Sequence, residues 1–276
     1  MSAAELPVGI FDSGIGGLTV VREIVRQLPN ESILYCGDTA RVPYGSKSPA
    51  VVRRYSQEAT AFLVSRGVKA VVVACNTATA HAHAQLRATA PVPVLGVIEP
   101  GARAAVATTR TGRVGVIGTA GTIGSGAYDL AVRRLLPDAR VYAQPCPLFV
   151  PLVEEGWLRH QVSRAVADEY VTPLLEMDVD VLILGCTHYP LLREVLEEVM
   201  GPSVTLVDSA EETARDLRAL LHAEGLERST GTPPEYHFAA SDAPLRFRDV
   251  GRQFVGEILR SVERVDLEDY RELAER

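Results

Sequence analysis

Short apolar segments rich in β-branched residues alternate along the chain with segments of helical periodicity. In one helical segment, apolar residues recur at steps of three and four from Val52 through Tyr55 to Ala59, which is the spacing of one helix face. Continuous apolar runs such as residues 71–73 are instead typical of parallel strands buried on both faces. The pattern predicts an α/β fold with strands at residues 7–11, 32–36, 69–74, 92–98, 113–117, 139–143, 179–184 and 203–207.

A weak internal repeat divides these elements into two sets. Each set has, in the same order, an opening strand, a strand with a tyrosine, and an apolar strand that runs up to a cysteine, Cys75 in one set and Cys186 in the other. Chance similarity between βαβ units is the alternative. We predict two pseudo-symmetric parallel-sheet lobes, residues 1–98 with 208–276 and residues 99–207, with helices after Asp208 that return to the first lobe. Because ligands bind beyond the carboxyl ends of such strands, the site is expected in the cleft between the lobes.

Composition and charge narrow the possible partners. The 276 residues include 28 Lys and Arg against 35 Asp and Glu, for a net charge of −7. This balance argues against general nucleic-acid binding, which needs clustered cations, but leaves room for one small acidic ligand. No apolar run has the length of a membrane span, and the first residues do not resemble a signal peptide. We therefore expect a cytoplasmic protein that does not bind membranes.

The chain has four cysteines, two of which hold equivalent places in the repeat. None is in CxxC spacing, so a zinc site is not expected. Cys75 and Cys186 each precede hydroxyl or amide residues and an expected helix start, where a thiol pKa is lowered. The alternative is that they are merely buried small apolar residues, the interpretation that we keep for Cys36 and Cys146.

Two thiols that face one ligand from opposite sides suit the inversion of a carbon stereocentre. One thiolate removes the α-proton and the opposite thiol returns a proton to the other face, which is general acid–base chemistry. A substrate carbon between the sulfurs requires them to be roughly 6–8 Å apart.

The motifs that carry these residues resemble the glutamate racemases of the aspartate/glutamate racemase family. The similarity runs from about residue 7 to about residue 210. It implies an isomerase that interconverts L- and D-glutamate without cofactor or metal and supplies D-glutamate for peptidoglycan, and hence for the cell wall and cell shape. It also implies two α/β domains with the site between them, in a homodimer. The matching segments are PVGIFDSGIGGLTVVREI, YCGDTARVPYGSKS, VVACNTATA, GVIEPG, GVIGTAGTI, LGCTHYPLL and VDSA.

By that resemblance, Cys75 handles the α-proton of D-glutamate and Cys186 that of L-glutamate. His188 assists the second thiol, and Asp12 lies beside the first. Glu154 matches an acidic position of the family, with Glu155 adjacent to it in the sequence. The substrate-binding residues implied are Asp12, Ser13, Asp38, Tyr44, Gly45, Asn76, Thr77, Glu154, Thr187 and His188.

Three other signals have alternative interpretations. The glycine-rich turn after the first strand resembles a dinucleotide-binding loop, but Thr19 occupies its third glycine position and Asp12 would face the pyrophosphate. We therefore do not expect NAD. His81 and His83 are predicted to be surface residues rather than metal ligands, and Trp157 is predicted to lie in the core or an interface.

Two other functions remain open. One is aspartate or hydantoin racemisation on the same scaffold, which activity on a panel of amino acids would reveal. The other is a non-catalytic interaction role, since some glutamate racemases are associated with inhibition of DNA gyrase.

Overall fold

The computed structural model describes residues 2–229 and 231–274. In this part of the chain the strands form two separate sheets, and all strand pairs are parallel. The strands are β1 (Val8–Asp12), β2 (Ile33–Gly37), β3 (Ala70–Val73), β4 (Val94–Gly96), β5 (Arg113–Gly118), β6 (Arg140–Pro145), β7 (Val181–Gly185), β8 (Thr205–Asp208), β9 (Tyr236–Ala240) and β10 (Glu263–Arg264).

Helices connect successive strands, as parallel pairing requires. They are α1 (Leu18–Gln27), α2 (Pro49–Ser65), α3 (Asn76–Thr89), α4 (Ile98–Thr108), α5 (Ala120–Gly124), α6 (Ala127–Leu135), α7 (Phe149–Glu154), α8 (Gln161–Leu175), α9 (Arg193–Met200), α10 (Ser209–Ala223), α11 (Pro244–Val255) and α12 (Arg271–Ala274). Within the described residues, every helix is too short or too polar to cross a bilayer.

The two sheets share one strand order, and this explains the internal repeat. The first sheet runs β10-β9-β2-β1-β3-β4 and the second runs β6-β5-β7-β8. The segment β2-β1-β3-β4 thus has the topology of the whole second sheet. The predicted α/β class with two related parallel-sheet lobes is confirmed.

The eight predicted strands are all present, with small differences at their ends. The segment predicted as 92–98 is a strand only at Val94–Gly96, because α4 begins at Ile98. Pro100 lies in the first turn of α4, where its missing N–H costs no helical hydrogen bond. Strands β1, β3 and β7 are buried along their whole length, as their continuous apolar runs predict.

The expectation that the segment after Asp208 is helical is wrong in part. It contains α10, α11 and α12, but also β9, which pairs with β2, and the edge strand β10. Phe238, Ala239 and Ala240 of β9 are buried, so the strand completes the packing of the first sheet. Trp157 is 44% exposed, so it does not lie in the core, and its alternative place in an interface stays a prediction.

One continuous apolar core includes residues from both sheets, among them Ile10 of β1 and Leu184 of β7. Helix α10 contacts both α1 and α4. We propose residues 1–98 with 208–276 as one lobe and 99–207 as the other, because each sheet draws its strands from one of these sets, apart from the last residue of β8.

Candidate active site

A cavity of about 320 Å³ lies where the carboxyl ends of the two sheets meet. Its size is at the lower end of ordinary small-molecule sites. Segments that follow β1 and β3 of the first sheet and β5 and β7 of the second contribute to its wall. The lining residues are Ser13, Gly14, Val42, Pro43, Tyr44, Gly45, Cys75, Asn76, Thr77, Thr119, Val150, Pro151, Glu154, Cys186, Thr187 and His188.

Cys75 lies between β3 and α3 and forms the N-cap of that helix. Its Sγ accepts a hydrogen bond from the Ala78 N–H at 3.5 Å and donates one to Ser13 Oγ at 3.7 Å. Burial is the main reason why the pKa of Cys75 is raised to about 12, and the charge of Asp12 acts in the same direction, while these two hydrogen bonds oppose it. At neutral pH this thiol therefore holds its proton.

Cys186 follows β7 and has a different partner. Its Sγ lies 3.9 Å from Nδ1 of His188, whose Nε2 lies 3.0 Å from Oε1 of Glu154. Burial alone would lower the pKa of His188, but the hydrogen bonds and charges of Cys186 and Glu154 outweigh it and raise that pKa to about 10. The hydrogen bond to His188 lowers the pKa of Glu154. These contacts thus favour a protonated imidazole next to the sulfur of Cys186.

The two thiols are therefore less alike than the repeat predicts. Cys75 caps an α-helix, but Cys186 precedes a 3₁₀ turn at Tyr189–Leu192, and α9 begins only at Arg193. In that turn the Tyr189 N–H donates to the Cys186 carbonyl oxygen. The sulfur of Cys75 lies at a helix N-terminus, whereas the group next to the sulfur of Cys186 is the imidazole of His188.

Two acidic residues expected at the substrate lie outside the cavity wall. Asp12 is 1% exposed, accepts a hydrogen bond from the Gly14 N–H at 2.9 Å and receives the Thr187 hydroxyl at 3.5 Å. Burial raises the pKa of Asp12 against the charge of His188 and nearby backbone N–H groups. Contrary to the expectation, Asp12 is not among the lining residues. It is buried behind them and supports the wall through Thr187.

Asp38 is also fully buried, and it supports the cavity wall through Tyr44. It accepts hydrogen bonds from the Tyr44 hydroxyl at 2.6 Å and from the Ser241 hydroxyl at 2.9 Å, and it pairs with Arg41 at 2.8 Å. The structure therefore connects Asp38 to the cavity through Tyr44 rather than as a lining residue. The remaining expected residues, Ser13, Tyr44, Gly45, Asn76, Thr77, Glu154, Thr187 and His188, all line it.

Sequence reasoning missed a cluster of hydroxyl groups contributed by both lobes. The Thr77 hydroxyl lies 2.8 Å from that of Thr119 and 3.1 Å from that of Thr122. Beside it, the Tyr128 hydroxyl donates to Asn76 Oδ1 at 2.7 Å. The repeat held a signal for this cluster, because Thr119 follows β5 as Ser13 follows β1.

The glycine-rich turn that resembles a dinucleotide loop packs closely against the second lobe. A Cβ on Gly16 would lie 2.3 Å from Thr187 Oγ1 and 2.4 Å from His188 Nδ1. The Thr19 hydroxyl donates to the Thr187 carbonyl oxygen at 3.0 Å. The absence of a side chain at Gly16 therefore lets this turn hold the Thr187–His188 segment in place.

The lining set contains neither Lys nor Arg, so its cationic side chain is His188. Arg41, the nearby cation of the first lobe, is engaged with Asp38 and Glu58. Backbone N–H groups at a helix N-terminus and hydroxyl groups are suitable donors to a carboxylate. Within the described residues, no cluster of three or more His, Cys, Asp or Glu side chains is arranged to hold a metal ion.

Comparison with known proteins relates this site to one family. The family model described as Asp/Glu/Hydantoin racemase matches residues 8–217. A glutamate racemase of Syntrophus aciditrophicus is 53% identical over 261 residues, covering 95% of this chain and 97% of the relative. That of Geobacter metallireducens is 54% identical over 265 residues, covering 96% and 98%.

Solved structures agree. A glutamate racemase isoform of Bacillus anthracis superposes with a TM-score of 0.92 at 41% identity, covering 96% of this chain and 98% of the other. The glutamate racemase of Francisella tularensis, solved in complex with D-glutamate, gives 0.90 at 39% identity, covering 97% and 100%. An aspartate racemase of Picrophilus torridus, at 18% identity and 0.54, shares the fold alone. The chain therefore belongs to the Asp/Glu/Hydantoin racemase family, and within it to the glutamate racemases.

Proposed function

We propose that this racemase interconverts L- and D-glutamate by a two-base proton transfer in which Cys75 and Cys186 act on opposite faces of the α-carbon. The observation that carries the proposal is the placement of these two thiols. Each follows the corresponding strand of its sheet, and both line one cavity. Neither base needs a metal or a cofactor, because each is a protein side chain.

In the direction from L-glutamate, Cys186 as thiolate takes the α-proton, and the electron pair of the broken C–H bond remains on the substrate as a carbanion. Cys75 then gives its thiol proton to the other face. The products are D-glutamate, a Cys186 thiol and a Cys75 thiolate, so atoms and charge balance. The raised pKa of Cys75 supports its role as the acid in this direction.

The protonated His188 supports the same assignment. Its Nδ1 lies 3.9 Å from the Cys186 sulfur, on the side of the cavity where the α-proton of L-glutamate is proposed to be taken. Glu154 holds the ring through the hydrogen bond at Nε2. In the direction from D-glutamate, Cys75 becomes the base and the Cys186 side of the cavity returns the proton.

Neutral donors are proposed to bind the two substrate carboxylates. Backbone N–H groups at the start of α3 and the hydroxyls of Thr77 and Thr119 form one set of donors. Ser13 and the Tyr44–Gly45 segment supply further donors from the wall. Asp12 is placed to balance the substrate ammonium through Thr187, whose hydroxyl donates to it.

The wider role is also proposed on the basis of the family. We expect the product D-glutamate to supply peptidoglycan synthesis, in the cytoplasm, from an enzyme that works as a homodimer. Rescue of a bacterial strain that depends on added D-glutamate would test the first point, and light scattering in solution would test the dimer.

The decisive experiment separates the two bases. Cys75→Ser and Cys186→Ser should each reduce racemisation by at least about a thousandfold, since each face loses its proton carrier. A glutamate analogue whose α-carbanion expels a leaving group needs only one base. Cys75→Ser should then process only the L-analogue and Cys186→Ser only the D-analogue.

Matched controls exist in the same chain. Cys36→Ser and Cys146→Ser replace buried cysteines that do not line the cavity, and they should racemise glutamate at near wild-type rates. A Cys75 or Cys186 variant that still racemises at the wild-type rate, or that eliminates from both enantiomers, would overturn the proposal.

A further inference from the structure

One histidine outside the cavity joins the two lobes at the cavity wall. His81 lies one turn beyond Thr77 on α3, so both side chains point from the same helix face. Its Nε2 lies 3.2 Å from the carbonyl oxygen of Gly121 in α5 of the other lobe. A carbonyl oxygen only accepts, so Nε2 carries the hydrogen and donates.

His81, predicted to be a surface residue rather than a metal ligand, thus also contacts the other lobe. The residue is partly buried, and burial lowers its pKa. The ring is thus neutral at neutral pH, with its proton on Nε2. The protonated ring also carries a hydrogen there, so the bond to Gly121 persists in both charge states.

Helix α5 depends on such contacts for its position. It has only five residues, and an isolated helix of this length is unstable in water. Its first turn carries Thr122 and follows Thr119, whose hydroxyls lie next to Thr77 in the cavity. The position of this turn therefore decides whether the hydroxyl cluster is assembled.

The same turn packs tightly against the first lobe on its other side. A Cβ on Gly121 would lie 2.9 Å from the Gly45 carbonyl oxygen, and a Cβ on Gly45 would lie 2.6 Å from Thr119 Cβ. The turn is thus held between α3 and the segment that carries Tyr44. His81 is the side chain that ties its backbone to α3 by a hydrogen bond.

We propose that His81 is a positioning residue of the reaction, which holds the first turn of α5 against α3 so that the Thr119 and Thr122 hydroxyls meet Thr77, and Thr77 and Thr119 face the substrate. The inference rests on one part of the proposed function, namely that the substrate binds in this cavity. Without the bond, a smaller fraction of molecules has the complete hydroxyl cluster before binding. An apparent affinity falls in proportion to that fraction, so KM should change more than kcat.

The test compares three variants in steady-state racemisation of both enantiomers. His81→Ala removes the donor and should raise KM roughly fivefold with kcat within about twofold. His81→Gln places an amide donor near Nε2 and should restore much of the affinity. His83→Ala is the matched control, because His83 lies on the same helix but its Nε2 is 3.3 Å from Val94 O within the first lobe.

Hydrogen exchange of the free protein gives a readout that does not depend on the substrate. Residues 120–124 should exchange faster in His81→Ala than in the wild type or in His83→Ala. If the wild type fails to racemise glutamate, the proposed function falls and this exchange still tests the inference. Unchanged exchange in His81→Ala, an unchanged KM in an active enzyme, or an equal effect of His83→Ala would each overturn it.

Discussion

At the scale of single residues, the main finding is that two thiols in equivalent positions have unequal surroundings. The Cys75 sulfur accepts a hydrogen bond from a backbone N–H and contacts Ser13. The Cys186 sulfur instead lies beside the His188–Glu154 pair. The pKa of Cys75 is raised chiefly by burial.

This inequality predicts a directional effect of Glu154→Gln. The hydrogen bond and charge of Glu154 help to raise the pKa of His188 to about 10, so their loss lowers that pKa. His188 then loses its proton at a lower pH, and the alkaline limb of the L-to-D rate should move toward neutrality. We expect the L-to-D rate at pH 8 to fall by about tenfold or more.

Glu155→Gln is the matched control for pH–rate profiles measured in both directions. Glu155 is adjacent in sequence, but its carboxylate is exposed and pairs with Arg246. Its replacement should leave both profiles in place. Equal shifts in the two variants, or an alkaline limb of Glu154→Gln that stays at the wild-type pH, would contradict the role given to Glu154.

The expected residues that line the cavity lie in short motifs at strand ends, where local chain geometry fixes their position. Cys75 with Asn76 and Thr77 is an example. Thr119 was not identified, because its role depends on contact with Thr77, 42 residues away in the chain. The burial of Asp12 beneath the wall likewise depends on packing that no local pattern encodes.

At the scale of elements, the turn between β1 and α1 connects the first lobe to the second thiol. Gly16→Ala should displace Thr187 and His188, since a Cβ there would meet both side chains at less than 2.5 Å. We expect racemisation to fall by about a hundredfold, as misplacement of catalytic groups by an ångström can cost that much, with the fold retained by circular dichroism.

Gly124→Ala is the control, because a Cβ on Gly124 meets nothing within 4 Å. It should keep near wild-type kcat and KM. Full activity of Gly16→Ala would show that the close contact at this turn does not position the second thiol.

Strand β9 is an element that the sequence pattern does not predict. Its first residues, Tyr236 and His237, are not fully buried, and only the last three of its five residues are. The strand forms by pairing with β2, register Ile33 to Tyr236. A short mixed segment of this kind carries no strong periodicity, so its state is decided by the sheet edge available to it.

At the scale of the whole molecule, a buried ion pair joins the N-terminal segment and the segment after α10 to the first sheet. Lys69 pairs with Glu31, and their side chains are 0% and 4% exposed. The Lys69 ammonium also donates to the carbonyl oxygens of Ala4 at 2.7 Å and Leu226 at 2.8 Å. The Arg228 N–H donates to Glu31 at 2.9 Å.

Lys69→Met should therefore lower the free energy of unfolding by about 3–5 kcal/mol, because it leaves a buried carboxylate unpaired. Arg66→Met breaks the ion pair between Arg66 and Glu263, whose side chains are 41% and 54% exposed. This variant should lower the free energy of unfolding by only about 0–1 kcal/mol. Urea unfolding of the two variants measures both values. Equal losses would contradict the structural importance given to the buried pair.

The central claim is that two different bases act on opposite faces of one α-carbon, and proton exchange in D₂O tests it most directly. L-glutamate is incubated with the wild-type protein, and the α-deuterium content of both enantiomers is measured at early times. Product D-glutamate should carry α-deuterium while the remaining L-glutamate keeps its α-proton, because Cys186 takes the proton and Cys75 delivers a solvent deuteron. Deuterium appearing in L-glutamate as fast as in the product, or a product that retains the original proton, would contradict the account.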